Sequence, residues 1–282
     1  MKKRYIYLYL IGWWLFCVAC TGNFRDYNTD LSGITNEDLN IDDNGYGIRL
    51  GIIQQGIYFN YDYGKGKNWP FQLIQNLNAD MFSGYMHDAK PLNGGSNNSD
   101  YNMQDGWNSA MWTHVYSYIF PQIYQSENAT RDTHPALFGI TKILKVEVMH
   151  RVTDYYGPII YRHFANAEKH YQPDTQKEVY YEFFNELDSA VVALIGYIEE
   201  KPESNGFARF DILLDGKYSS WVKFANSLRL RLAMRLASIA PDKARLEIEK
   251  IKENDYGFFE RGSEKVAVST KSGYINPLGE LN

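Results

Sequence analysis

Apolar residues recur at helical spacing along most of the chain from residue 107 onward. Four stripes carry this period: Trp112, Tyr116, Ile119 and Ile123; Leu137, Ile140, Leu144, Val148, Val152 and Tyr155; Val179, Phe183, Leu187, Ala190 and Leu194; and Trp221, Ala225, Leu228, Leu232, Leu236 and Ile239. Separations of three and four residues place each stripe on one helix face. Weaker helical patterns occupy residues 46–60 and 71–82, and a short charged helix is expected over 243–254.

A helix with a single apolar stripe needs a partner to bury it, and no strand-rich region is evident. The pattern therefore predicts an all-α (mainly α) fold of helical hairpins with long loops, similar to the helix pairs of TPR-like solenoids. The four helices begin near residues 107, 134, 177 and 217, and this uneven spacing favours irregular hairpins over a regular array. Pro241 is expected to stop the fourth helix.

Residues 83–106 interrupt the helical pattern with a long segment rich in Asn, Gly, Ser and Asp. Loops of this length are often functional. Tyr85, Tyr101 and Trp107 lie in or beside it, in a chain with 23 Tyr and 6 Trp. Flat rings beside amide and carboxylate groups suit capture of sugars or peptides, so these three are the candidate ligand-binding residues. Trp112, Tyr116 and Trp221 lie on apolar stripes and are expected to fill the core.

The first twenty residues have the layout of an export signal: Lys2, Lys3 and Arg4 precede an uncharged run, which ends at Ala19 and Cys20. A retained membrane helix is the alternative, although the apolar part is short for a span. Residues 17–20 resemble the bacterial lipobox, with Cys17 where Leu is usual. We therefore predict a signal peptide over 1–19, lipidation of Cys20, a polar tether over 20–44 and a helical domain over 45–282.

Several classes of chemistry lack support in the sequence. Both cysteines, Cys17 and Cys20, lie in the first twenty residues, so the body has no disulfide framework or Cys-based zinc site. A net charge of −5 without a basic run argues against nucleic-acid binding. Nucleophile-elbow, phosphate-loop and zinc-protease motifs are absent, and the basic glycine turn at 64–67 is expected to be ordinary surface. No catalytic residue, metal site or cofactor is predicted.

Three weaker patterns remain. Asn40, Asp42 and Asn44 resemble the opening of a calcium loop, but its twelfth position holds Gly51 in place of a bidentate Glu. His150 and Asp154 are spaced for one helix face and are expected to be a packed or solvated pair.

Arg229, Arg231 and Arg235 crowd the fourth helix. Structural salt bridges are expected there, with Glu186 or Asp188 of the preceding helix as candidate partners.

Four segments, taken in order, resemble the SusD/RagB family of nutrient-binding outer-membrane lipoproteins of Bacteroidetes. They are Trp112 to Ile119, the run from Lys142 to Tyr161 with its Thr-Asp-Tyr-Tyr-Gly-Pro turn, the helix from Val179 to Ala190, and Asp215-Gly216-Lys217 followed by Trp221 to Arg235. The family usually has Pro where this chain has Ile160. The chain resembles the SusD-like branch most closely.

This resemblance implies a helical, TPR-containing lipoprotein, anchored in the outer membrane and exposed at the cell surface. Such a protein lies as a lid on a SusC-like TonB-dependent barrel and passes oligosaccharides or peptides to it, without catalysis and without a cofactor. Members of the family are usually much longer, so we expect a chain that is truncated at its C-terminus.

Two alternatives stay open. The first is a glycoside hydrolase on a helical scaffold, which would need a pair of carboxylates such as those of Asp80, Asp88, Asp100 and Asp105 around the long loop. The second is a helical adaptor that binds only its barrel and no nutrient.

Overall fold

The structure is a computed structural model that describes residues 44–59, 69–90, 92–166, 172–202, 204, 206–260, 262 and 264–268. Its helices are α1 (Asn44–Gly56), α2 (Gln72–Asp80, continuing from Trp69–Phe71), α3 (Asp105–Asn108), α4 (Ala110–His114), α5 (Phe120–Thr130), α6 (Pro135–Tyr156), α7 (Gln176–Glu200), α8 (Tyr218–Leu236) and α9 (Pro241–Lys250). From Tyr46 onward the described residues form one compact unit. Within the described ranges there is no β-strand, and the fold is mainly α as predicted.

The longest helices form two antiparallel hairpins. Gly139 of α6 lies against Ala190 of α7, and Asp154 near the other end of α6 bonds to Tyr180 near the start of α7. A Cβ on Gly139 would lie 3.0 Å from the Ala190 carbonyl oxygen, so glycine permits this close approach. The α7 and α8 helices are also antiparallel, since the ring of Tyr197 near the end of α7 lies 5.0 Å from that of Tyr218 at the start of α8.

Local sequence signals set where these helices begin and end. Pro135 occupies the first turn of α6, where its missing N–H is not needed, and Gly157 ends the helix with φ of 78°. Thr175 caps α7 in a capping box with Glu178, in which each side chain accepts a hydrogen bond from the other residue's backbone N–H. These signals position the predicted helices in the chain.

Two predictions at the helix termini were wrong. Pro241 does not end the fourth helix but begins α9, since α8 already ends at Leu236. Ile239, which we placed on the α8 stripe, lies in the connection and is 78 % exposed. A proline is well accommodated in the first turn of a helix, so its position alone did not distinguish a stop from a start.

The segment over 71–82 is helical as predicted, but it winds as a π-helix over Gln72–Asp80. A second π-helical turn, Val115–Ile119, joins α4 to α5. In α2 this winding accompanies complete burial of Asn78, whose amide belongs to the site described below.

Buried charges link the helices. Lys145 of α6 donates to Glu186 of α7 at 2.7 Å and to Glu127 of α5 at 3.2 Å, and Lys142 also pairs with Glu186. Desolvation of Glu186 opposes its ionisation, but the two lysines prevail and lower its pKa. This cluster ties three helices together inside the core.

The three arginines of α8 all form salt bridges, as expected. Arg229 pairs with Asp188 at 2.6 Å and with Glu247. Asp188 is one of the two partners predicted from the sequence. Arg231 pairs with Glu147 at 3.4 Å, and Arg235 pairs with Asp154. Glu186 is not a partner, because the lysines of α6 occupy it. Sequence spacing identifies the face of a helix but not which neighbouring helix covers it.

The connection between α7 and α8 is organised by one carboxylate. Asp211, 5 % exposed, accepts hydrogen bonds from the backbone N–H groups of Leu213, Leu214 and Gly216 and from the indole Nε1 of Trp221, at 2.8 to 3.0 Å. Gly216 has φ of 74° in this turn. The Trp221 ring is fully buried, as predicted.

Candidate functional site

The candidate site is the loop over residues 83–106, which the structure describes apart from residue 91. Before α3 begins at Asp105, the described part of the loop contains only two short turns, Leu92–Gly95 and Asn98–Asp100. A loop of this kind keeps its shape only if its polar groups find partners.

Buried amides pin the loop to the helices on either side. Asn98 is fully buried, and its Nδ2 donates to the Leu77 carbonyl at 2.7 Å and to the Asn108 Oδ1 at 3.0 Å. Asn78, also fully buried, donates from Nδ2 to the Trp107 carbonyl at 3.3 Å. Because a buried amide without partners is costly, these bonds select one loop conformation.

Two tyrosines at the end of α6 complete this scaffold. The Tyr155 hydroxyl bonds to Asn78 Oδ1 at 2.5 Å, and that of Tyr156 donates to the Asn108 carbonyl at 2.5 Å and accepts from the Trp112 N–H at 3.2 Å. Burial raises the pKa of Tyr155, and it raises the pKa of Tyr156 to about 12. Both hydroxyls therefore stay protonated and keep donating.

A carboxylate organises the outer part of the loop. Asp88 accepts hydrogen bonds from the Ser99 hydroxyl, from the Leu92 N–H at 3.0 Å and from Asn97 Nδ2 at 3.4 Å. The Ser99 bond, followed by that from Leu92, lowers the pKa of Asp88. The carboxylate is thus ionised and structural.

The scaffold presents aromatic rings to solvent. Tyr85 is 88 % exposed and Tyr101 is 69 % exposed, whereas Trp107 is half-buried. Tyr101 has a left-handed backbone, with φ of 57°, and its ring lies 5.7 Å from that of Phe82. The structure thus brings Tyr101 together with Phe82. Among the described residues, no ring contact joins Tyr85, Tyr101 and Trp107 to one another.

Sequence reasoning missed the residues that hold the loop. Asn78 lies within a predicted helix, and an amide at an inward position of an apolar pattern was the available signal. Tyr155 was predicted on the apolar stripe of α6 and Tyr156 only as part of the turn that follows it, and nothing in their spacing indicated that they reach back to Asn78 and Asn108. Tyr155 and Asn78, for example, are 77 positions apart in the sequence.

The structure describes some of the other residues that the sequence singled out. His150 and Asp154 do not pair with each other, since His150 Nδ1 bonds to the Val146 carbonyl at 3.1 Å while Asp154 bonds to Tyr180 and Arg235. Within the described ranges no three metal-ligating side chains cluster. The lipidation residue Cys20, the start of the calcium-like pattern at Asn40 and Asp42, and the turn at 64–67 all lie outside the described residues.

Comparison with known proteins decides the family. A family model described as "SusD-like: Susd and RagB outer membrane lipoprotein" matches residues 26–281. The chain belongs to the SusD-like family. None of the described helices is both long and apolar enough to cross a membrane.

Solved SusD-like structures share the fold. A SusD homologue from Bacteroides vulgatus is 44 % identical with a TM-score of 0.79, and the match covers 86 % of this chain and 48 % of that one. A chitin-binding SusD homologue from Flavobacterium johnsoniae is 34 % identical with a TM-score of 0.77, covering 84 % and 48 %. A homologue from Bacteroides uniformis is 27 % identical with a TM-score of 0.70, covering 83 % and 46 %.

The chain thus spans about half the length of these solved relatives. The comparison with curated proteins finds no match.

Proposed function

We propose that the chain is a nutrient-binding lipoprotein, anchored to the outer membrane through Cys20, that captures an oligosaccharide on the loop over residues 83–106. Membership of a family of outer-membrane lipoproteins supports the class. The observation that carries the proposal is the exposure of Tyr85 and Tyr101 on a loop whose backbone is held by buried amides. Rigid, exposed rings offer apolar contact area at low entropic cost.

An oligosaccharide is the first ligand to test. One relative is a chitin-binding protein, and N-acetylated sugars combine an apolar face, which stacks on a ring, with amides and hydroxyls that bond to Asn and Asp. Peptides are the second class, because the same side chains also accommodate them.

Binding without turnover fits the carboxylates around the loop. A glycosidase needs one carboxyl group with a raised pKa to protonate the leaving group. The pKa of Asp88 is instead lowered, first by its bond from Ser99. Asp80 accepts hydrogen bonds from Gln75 at 2.7 Å and from Asn76 at 3.1 Å, which hold its carboxylate against α2. These contacts favour structural roles for both acids.

The test is a calorimetric titration of the full chain with chitin oligosaccharides and with a mixed peptide pool. Tyr85→Ala, Tyr101→Ala and Trp107→Ala should each weaken binding by about 1 kcal/mol or more, which is roughly fivefold in Kd. Tyr124→Ala is the matched control, because this tyrosine is 40 % exposed and lies on α5, outside the loop. Unchanged affinity in all three loop variants would refute the proposed site.

Anchoring and partner have separate tests. Cys20→Ser should move the protein from the membrane fraction to the soluble fraction, since lasting attachment depends on its acyl chains. We propose a SusC-like TonB-dependent barrel as the partner that receives the ligand. Co-purification with the barrel in a chain that binds no sugar or peptide would support the adaptor function, and release of reducing sugar would support the hydrolase.

A further inference from the structure

A groove beside the core lies between α7, α8, α9 and the turn Ile251–Glu253. Its volume is ≈ 540 Å³. The core stripe of α7 is fully buried, but a second stripe, with Val191, Val192 and Ile195, lines the groove. From Asp188 to Glu199 the groove follows twelve residues of α7, and the eleven steps between them span about 16 Å at 1.5 Å per step. That length matches about three turns of a docked helix.

The α7 side of the groove is apolar: Val191 and Ile195 are partly buried against the core, and Val192 between them stays exposed. Val192 is 72 % exposed, in a row where a helix facing only solvent would carry polar residues. Gly196 also lines the groove, and a Cβ added there would meet nothing within 4 Å. Glycine inside a helix is less stable than alanine by about 1 kcal/mol, so the described packing does not account for it. The bare backbone leaves room for an incoming chain to approach closely.

Charge differs between the two ends of the groove. At one end Asp188 is neutralised by Arg229 and Lys250, each at 2.6 Å. Toward the other end, Glu199 and Glu253 form no ion pair with any described residue. Glu199 also lies in the last turn of α7, which contains no basic residue and where the helix dipole is itself negative. This end of the groove therefore favours a cation.

The wall opposite α7 is held in place. Asn226 of α8 is 1 % exposed, and its Nδ2 donates to Asn254 Oδ1 at 3.1 Å and to the Gly257 carbonyl at 2.7 Å. These bonds fix the segment that follows α9 against α8. The groove is thus preformed, which lowers the ordering cost of binding.

We propose that this groove docks a short amphipathic helix of a partner protein, with aliphatic residues on one face and a Lys or Arg at the end that meets Glu199 and Glu253. None of the groove-lining residues is aromatic, in contrast to the loop over 83–106, so the groove lacks the stacking surface of a sugar site. The groove and the loop share no residue, and the inference does not depend on the proposed nutrient binding.

The probe is a labelled synthetic amphipathic helix of about three to four turns, with leucines along one face and two lysines at one end. Fluorescence polarisation with the full chain should show micromolar binding. Val192→Asp should weaken it about tenfold or more, because a carboxylate replaces the apolar contact. Glu199→Lys should weaken it about three- to fivefold and should strengthen binding of a peptide in which glutamates replace the lysines.

Both substituted side chains are exposed, so the variants should fold, and unchanged unfolding midpoints would confirm this. Glu249→Lys is the matched control, since it makes the same charge change on an exposed α9 residue outside the groove lining. Absence of binding, equal binding of a scrambled peptide, or binding that survives Val192→Asp would overturn the proposal. So would a dimer that Val192→Asp dissociates, or displacement of the probe by chitin oligosaccharides.

Discussion

Replacing Asp211 by alanine should destabilise the protein more than most single substitutions. The change removes one acceptor group that serves four donors, and these donors are nearly all excluded from water. Leaving one buried donor unsatisfied costs about 1–3 kcal/mol. Even if water enters and satisfies some donors, we expect a loss of about 4 kcal/mol in the free energy of unfolding. At 2–4 °C per kcal/mol, the unfolding midpoint should fall by about 10 °C.

The assay is denaturant and thermal unfolding of the full chain, monitored by circular dichroism at the helical signal. Asp211→Asn separates packing from charge, because the amide oxygen can still serve two donors while its NH₂ faces the other two. It should lose roughly half as much stability. Trp221→Phe removes the indole bond and also leaves a cavity at a fully buried position, so its loss of stability combines the two effects.

A double variant tests the coupling. Asp211→Ala with Trp221→Phe should be less destabilised than the two single effects added together, because both remove the same indole bond. A loss below about 1 kcal/mol for Asp211→Ala would refute the view that this carboxylate organises the connection before α8.

Three further predictions concern pH, the loop and the core charges. Burial lowers the pKa of His114 to about 4 and that of His150 to about 3. As the pH falls, the unfolded chain therefore binds these protons before the folded chain does. The free energy of unfolding should decrease between about pH 6.5 and 3, by up to about 1.4 kcal/mol per pH unit for each histidine. Unfolding midpoints across this range would check it, and His150→Phe should flatten the profile. Asn98→Ala should weaken ligand binding and speed hydrogen exchange over 92–104 without touching the ligand, whereas protection equal to wild type would contradict the scaffold. Lys145→Met should leave Glu186 with one cation and destabilise by about 3 kcal/mol in urea unfolding.

The helices were predictable because their information is local. Stripes with three- and four-residue spacing recur along α6, α7 and α8, and Pro135, Thr175 and Gly157 mark their ends by geometry that each residue carries itself. The error at Pro241 has the same origin, since proline is compatible with both the end of one helix and the start of the next. The hairpin architecture followed from the need of each stripe for a partner.

The loop over 83–106 was predictable only in outline. Its composition marked it as a long, turn-rich segment with exposed rings, and Tyr85 and Tyr101 are indeed exposed. Its scaffold was not predictable, because Asn78, Asn98 and Tyr155 come from three segments that meet only after folding. Whether these rings bind a ligand stays a prediction.

The amino-acid sequence by itself determined the helical class, the position of most helices and the segment free to form a loop, because backbone preferences and apolar periodicity act over a few residues. Tertiary structure alone decided which charge meets which partner. By sequence, Glu186 was a possible partner for an arginine of α8, but in the folded chain the lysines of α6 lie nearer and pair with it. Each buried charge needs such a partner, because losing its hydration without one costs a large amount of free energy. The same rule, applied to amides, gives the loop its shape.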